Sequence, residues 1–146
     1  IDHRPRDVEM SRLLVDTSAY SAWVRGYPPI QESIQRASGL YLSVIVMGEL
    51  LAGFMGGAKQ RQNEEYLRSF LSSARVEVLL IDQETVIPYA AIQHELRRRG
   101  TPVSPNDLWI AATAYQHGLR VLTLDRDFTK IPQVIVESIE PPGASS

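Results

Sequence analysis

The sequence predicts one α/β domain in which a five-stranded, mainly parallel sheet lies between two helical layers, a three-layer α/β/α sandwich. Three observations support this fold. Short apolar segments alternate with longer segments of helical periodicity, the apolar segments are hydrophobic on both faces, and 146 residues suit a single core. Strands that are apolar on both faces need helices on each side of the sheet.

Five short apolar segments, each bounded by turn-forming or polar residues, predict the strands. Most are followed by a segment with a helical pattern, which is typical of parallel strands joined by crossover helices. The predicted strands are RLLV (12–15), GLYLS (39–43), VEVLLI (76–81), LRVLTL (119–124) and VIV (134–136).

The intervening segments predict helices with recognisable ends. Ser18, Ser43 and Asp82 are suitable N-terminal caps, and Gly118 is a suitable C-terminal stop. Pro88 either delays the start of the helix after Asp82 or kinks it. The predicted helices are two short ones within 19–37, separated by GYPP (26–29), and further ones over 44–54, 60–74, 82–99 and 107–118.

Composition excludes several classes of protein. The chain has no cysteine, which rules out a disulfide scaffold, a thiolate zinc site and a cysteine nucleophile, and fits a reducing compartment such as the cytoplasm. The long apolar window from Leu40 contains Glu49 and four glycines, so we expect no membrane span. We expect residues 1–9 to be a tag or disordered extension, 10–138 the domain, and 139–146 a flexible tail.

Charge gives only a local signal for nucleic-acid binding. The formal net charge of −2 provides no overall attraction to a polyanion. The segment ELRRRG (95–100), however, concentrates three arginines at the predicted end of a helix. Two interpretations stay open: the arginines complement the helix macrodipole, or they contact phosphate groups.

Carboxylates follow or face the predicted carboxyl edge of the sheet. Asp16 follows the first strand, Asp125 follows the fourth, Asp107 opens a helix, and Glu49 lies in an otherwise apolar helix. In open parallel sheets, ligands bind beyond the carboxyl ends of the strands. Each aspartate alone could instead cap a helix or shape a turn. For Glu49, apolar neighbours on the helix leave little room for a solvated face.

Together these acids would need a cation. Carboxylates about 6 Å apart repel by roughly 3 kcal/mol per pair at an effective dielectric constant of 20. The sequence has only two lysines, and Arg126, next to Asp125, is the one arginine directly beside the four acids. An all-oxygen carboxylate set selects a hard divalent cation, so we expect Mg²⁺, with Mn²⁺ as a possible substitute.

Four segments in this order carry a family resemblance: LLVDTSAY, VMGELLAGF, NDLWIAATA and LTLDRDF. They resemble the PIN domain of small bacterial ribonucleases, especially the VapC-type toxins of toxin–antitoxin pairs, and the resemblance runs from about Arg12 to Val136. It implies a parallel five-stranded sheet between helices. It also implies that four acids form the metal site, namely Asp16, Glu49, Asp107 and Asp125. Ser18 and Thr123 would be polar accessory residues, and Asp127 would belong to the outer shell of the site.

The function implied by this resemblance is Mg²⁺-dependent hydrolysis of RNA by the toxin of a toxin–antitoxin pair. The implied partners are an RNA substrate, a cognate antitoxin and a second copy of the chain. The main alternative is a catalytically inactive PIN-like module that binds RNA or protein. Two further alternatives are a metal-independent ribonuclease that would use His94 and His117, and an enzyme phosphorylated on Asp16.

Overall fold

A computed structural model describes residues 11–143, which form five strands, six α-helices and one 3-10 helix. The strands are β1 (Arg12–Val15), β2 (Gly39–Ser43), β3 (Val76–Leu79), β4 (Arg120–Thr123) and β5 (Ile135–Ser138). The α-helices are α1 (Thr17–Val24), α2 (Pro28–Arg36), α3 (Val44–Phe54), α4 (Gln60–Leu71), α5 (Val86–Arg99) and α6 (Pro105–His117), and the 3-10 helix spans Arg126–Lys130.

The five strands form one sheet in the order β3-β2-β1-β4-β5, and every neighbouring pair is parallel. The chain builds the sheet outward from β1 to β3 and then returns to the other side of β1 for β4 and β5. Because crossovers between parallel strands are right-handed, this reversal puts α1 to α4 on one face and α5 and α6 on the other. The predicted three-layer α/β/α architecture is confirmed, with a sheet that is parallel throughout.

The central strands supply the middle of the core. Leu14, Val15, Val121 and Leu122 are all fully buried, which agrees with strands covered by helices on both faces. Their register also fixes where the strands end, because Val15 pairs with Leu122. The first residues after β1 and β4 therefore emerge side by side, at the point where the strand order reverses. Ligand sites in open parallel sheets occur at such a reversal.

Two predicted helix caps are wrong. Asp16, and not Ser18, caps α1: its side chain accepts a hydrogen bond from the backbone N–H of Ala19, which places Ser18 inside the helix. Helix α5 begins at Val86, four residues after the predicted cap Asp82. Asp82 instead accepts hydrogen bonds from the N–H groups of Glu84 and Thr85, forming a turn that delays the helix.

The other predicted helix ends agree better with the structure. Ser43 caps α3 by accepting a hydrogen bond from the N–H of Ile45, and Gly118 ends α6 with a φ of 67° in the left-handed region. Helix α6 starts before the predicted position, because Ser104 is its cap and Pro105 occupies its first turn.

The C-terminal part of the described chain differs in detail from the prediction. The fifth strand runs to Ser138, and the 3-10 helix after β4 was not predicted. Beyond β5, the N–H of Ile139 donates to the carbonyl of Thr123, and the Tyr27 hydroxyl donates to the carbonyl of Glu140. The predicted extension at 1–9 lies outside the described residues. Within residues 11–143, no helix is both long and apolar enough to cross a bilayer.

Candidate metal centre

A cleft of about 420 Å³ opens at the carboxyl edge of the sheet, where β1 and β4 end next to each other. It brings together all four acids that the sequence singled out, contributed by two strand ends and two helices. Its lining consists of Asp16, Thr17, Ser18, Ser21, Glu49, Ser104, Asp107, Ile110 and Asp125. The sheet topology therefore gathers residues that are more than 100 positions apart in the sequence.

Asp16 forms the fixed side of this cleft. It is only 4% exposed, and its carboxylate accepts hydrogen bonds from the Ser18 hydroxyl at 2.8 Å, the Ala19 N–H at 2.8 Å and the Thr123 hydroxyl at 2.5 Å. Burial raises the pKa of Asp16, and these hydrogen bonds oppose the increase. Donors from both α1 and β4 thus hold the carboxylate in one orientation.

The hydroxyl groups of Ser18 and Thr123 connect the two strand ends. Besides donating to Asp16, the Ser18 hydroxyl accepts a hydrogen bond from the N–H of Leu124 at 3.0 Å. The Thr123 hydroxyl accepts one from the N–H of Asp125 at 2.8 Å. Both residues therefore shape the backbone that presents Asp125 to the cleft.

Glu49 is held by two side chains that the sequence analysis did not select. Thr17 donates its hydroxyl hydrogen to one carboxylate oxygen, and the Asn106 amide donates to the other at 2.8 Å. Glu49 is half-buried, which is less enclosed than its apolar neighbours predicted, and one of those neighbours, Leu51, is itself 39% exposed. Adjacency was the available signal: Thr17 follows Asp16, and Asn106 precedes Asp107.

Asp107, Asp125 and Asp127 form the tightest acidic group among the described residues, with one oxygen of each within 4.8 Å of the others. The Ser104 hydroxyl accepts a hydrogen bond from the backbone N–H of Asp107 at 3.3 Å and also favours the charged form of the Asp107 carboxylate. Asp125 accepts from the N–H of Asp127 at 2.9 Å. Even so, burial and then the negative charge of Asp125, with smaller effects of Asp16 and Glu49, raise the pKa of Asp107 to about 6. The group is electrostatically strained by its own charges.

One lysine, which the sequence analysis did not pair with the acids, partly compensates this charge. The Lys130 ammonium lies 2.9 Å from an Asp127 oxygen, one turn of the 3-10 helix away. Both side chains are more than 40% exposed, so solvent screens the pair and its contribution is small. Asp107 and Asp125 have no such neighbour among the residues that line the cleft.

The donor chemistry of the cleft fits a hard divalent cation. The converging groups are carboxylates and hydroxyls, and no lysine, arginine or histidine of the described chain lines the cleft. All-oxygen sets of this kind suit Mg²⁺ or Mn²⁺ better than zinc. Asp107, Asp125 and Asp127 could bind the ion, and Asp16 and Glu49 line the same cleft.

The protein is a parallel α/β sandwich, and a carboxylate cleft lies where its strand order reverses. These two features place it in the class of α/β proteins with a candidate metal centre at that edge of the sheet. Within this class, the family model for the PIN domain matches residues 13–134. The chain therefore belongs to the PIN domain family.

Two relatives match the chain over nearly its whole length. The chain is 31% identical over 134 residues to "Ribonuclease VapC4" of Mycobacterium tuberculosis, covering 90% of this chain and all of the relative. It is 33% identical over 131 residues to "tRNA(fMet)-specific endonuclease VapC" of Salmonella typhimurium, covering 88% of this chain and 98% of the relative.

Solved structures share the fold at similar coverage. A DNA-bound VapBC from Salmonella typhimurium superposes with a TM-score of 0.77 and 31% identity, over 88% of this chain and 98% of the other. VapBC-5 of Mycobacterium tuberculosis, a member of a toxin–antitoxin family, superposes with a TM-score of 0.64 and 28% identity, over 90% of this chain and 99% of the other.

Proposed function

We propose that this chain is a divalent-metal-dependent endoribonuclease, working with Mg²⁺ or Mn²⁺, and the toxin of a toxin–antitoxin pair. The observation that carries the proposal is the convergence of Asp107, Asp125 and Asp127 within 4.8 Å, in a cleft that Asp16 and Glu49 also line. The names of the VapC relatives, a ribonuclease and an endonuclease, support hydrolysis of RNA.

In this mechanism the three converging aspartates hold the cation, Glu49 adds a further carboxylate ligand from the same cleft, and Asp16 keeps the cleft in shape. A divalent cation, when bound, lowers the pKa of water and stabilises the charge that develops on the phosphate. Asp16 fixes the ends of β1 and β4 through Ser18 and Thr123, which orients Asp125. Because hydrolysis uses water as the nucleophile, the 2′-hydroxyl of the RNA is not required.

The histidine alternative has little support in this geometry. His94 and His117 lie on α5 and at the end of α6, and neither lines the acidic cleft. An acid and a base for metal-independent cleavage would both have to reach one phosphate. The carboxylates are therefore the groups that we assign to the reaction.

Two protein partners belong to the same proposal. The solved VapBC complexes support a cognate antitoxin, which would bind this chain and inhibit it. A homodimer is supported by apolar side chains left in solvent: Ile87 is 71% exposed and Tyr115 57% exposed, and both line one small apolar cavity.

The test is cleavage of defined RNAs by the purified protein with Mg²⁺, with Mn²⁺, and with EDTA. We expect cleavage only with a divalent ion, and a loss of more than about 100-fold in the Asp125→Asn variant, which removes a proposed ligand. A matched control is Asp82→Asn, which neutralises an aspartate far from the cleft.

Each other outcome would contradict the proposal in a specific way. Cleavage that persists in EDTA would favour the metal-independent mechanism. Equal cleavage by wild type and Asp125→Asn would contradict the site. RNA binding without cleavage under all of these conditions would favour the inactive binding module.

A further inference from the structure

The three arginines at the end of α5 lie at the same edge of the molecule as the acidic cleft. Helix α6 starts in the cleft at its cap Ser104, and only residues 100–103 separate that cap from the end of α5. Three Cα–Cα steps keep Thr101 and Ser104 within about 11 Å even in a fully extended loop. The end of α5, which carries the arginines, therefore lies one short loop away from the cleft.

Two of these three arginines have free guanidinium groups. Arg98 is paired with Glu95 through hydrogen bonds as short as 2.8 Å. Arg97 and Arg99 are exposed, and their side chains make no hydrogen bond or ion pair with any other residue in 11–143. By contrast, the Arg75 side chain is committed to the backbone carbonyls of Ile34 and Ala37.

A cavity of about 380 Å³ lies beside Arg97, between the end of α5 and the loop that leads to the cleft. Thr101 lines this cavity, and its hydroxyl oxygen is buried without a hydrogen-bond partner in the described chain. A buried polar group without a partner is uncommon in a folded protein and is a candidate for contact with a ligand. Guanidinium groups bind phosphate oxygens through paired, charge-assisted hydrogen bonds.

Electrostatics explain why a patch outside the cleft is needed. The cleft is lined by four carboxylates, so it repels every phosphate of an RNA strand except one that is held by a bound cation. The net charge of −2 adds no general attraction. Binding of the strand therefore depends on cations outside the acidic lining of the cleft.

We propose that Arg97 and Arg99 form a phosphate-binding patch that contacts the RNA backbone beside the linkage to be cut. This inference rests on the proposed ribonuclease function and adds to it the residues that position the substrate. Complementing the macrodipole of α5 is compatible with this role but makes a different prediction, because it concerns the stability of the helix and not the binding of RNA.

The experiment measures binding of a fluorescent single-stranded RNA to the Asp125→Asn protein, with Mg²⁺, over a series of salt concentrations. In this background the RNA stays intact. We expect Arg97→Gln/Arg99→Gln to weaken binding and to reduce the slope of log K against log salt by about 0.7 for each phosphate that is no longer neutralised, roughly 1.4 in total. Arg97→Lys/Arg99→Lys should retain most of the slope, because the charges remain.

The matched control is Arg61→Gln, which removes an exposed arginine from α4 on the opposite face of the sheet. We expect its salt slope to equal that of the parent protein. The proposal is overturned if the double glutamine variant keeps the parent slope and changes only the melting temperature, or if Arg61→Gln reduces the slope equally. It is also overturned if the Asp125→Asn protein, with both arginines intact, does not bind RNA.

Failure of the proposed function has a separate readout. That function fails if the wild-type protein does not cleave RNA with Mg²⁺ or Mn²⁺, whatever the salt slopes are. The proposed phosphate-binding patch is contradicted by the salt slopes alone, even if the wild-type protein cleaves RNA.

Discussion

The carboxylates of the acidic cleft differ in how many hydrogen-bond donors hold them. On the strand side, Asp16 is 4% exposed and accepts three hydrogen bonds from fixed donors. Next to it, Asp107, Asp125 and Asp127 bring one oxygen each within 4.8 Å, and burial, followed by the charge of Asp125, raises the pKa of Asp107 to about 6. Burial raises the pKa of both Asp16 and Asp107, but fixed donors hold Asp16 in one orientation, whereas the three crowded aspartates are available to a cation.

The largest expected effect is on the free energy of unfolding, and it tests whether Asp16 and Asp107 differ in their contribution to it. Asp16→Ala removes the cap of α1 and leaves the buried Thr123 hydroxyl without its acceptor, so we expect it to lower the free energy of unfolding by about 2 to 3 kcal/mol. Asp107→Asn should leave the stability of the metal-free protein unchanged or raise it, because it removes repulsion. Urea unfolding in EDTA measures both, and equal losses would contradict the distinction.

Glu49 offers a second test, because it lines the same cleft as Asp107 and Asp125 but is held by hydrogen bonds from Thr17 and Asn106. Asn106→Ala frees one oxygen of Glu49, and we expect a 10- to 100-fold loss of Mn²⁺ affinity, as is typical when a partner of a metal-site residue is removed. Calorimetric titration with Mn²⁺ measures the affinity in the absence of RNA. The control is Asn63→Ala on α4, outside the cleft. Unchanged Mn²⁺ affinity in Asn106→Ala would show that the hydrogen bond from Asn106 is not needed to position Glu49.

The smallest expected effect is on the pH dependence of stability. Because the pKa of Asp107 is raised from 3.8 to about 6 in the folded protein, its protonation favours folding. The gain is absent above the folded pKa and grows as pH falls from about 6 towards 3.8, by at most about 1.4 kcal/mol per pH unit.

Comparison with Asp107→Asn isolates this contribution. Without metal, lowering the pH from about 7 to about 5 should raise the stability of the wild type relative to the variant. Saturating Mg²⁺ should reverse the trend, since the cation competes with the proton for the same oxygens. Parallel stability curves for the two proteins in EDTA would contradict the raised pKa.

Much of the fold could be predicted because its signals are local. Apolar segments with both faces hydrophobic predicted the strands, and Ser43 and Gly118 predicted helix ends, since cap chemistry depends on a few neighbouring residues. Prediction failed where side chains had a choice of partners. Asp82 accepts hydrogen bonds within a turn before α5, and Asp16, not Ser18, caps α1. In each case the carboxylate accepts hydrogen bonds from nearby backbone N–H groups.

The candidate site divides in the same way. The sequence by itself determined which acids follow the strands and open α6, and motif order carried the family resemblance, because covalent order sets what emerges at each strand end. Only the tertiary structure decided that Asp127 joins Asp107 and Asp125, that Thr17 and Asn106 hold Glu49, and that Arg97 lines a cavity beside the loop that leads to the cleft. These contacts join distant segments, and packing of the helices against the sheet sets their distances, which no local pattern encodes.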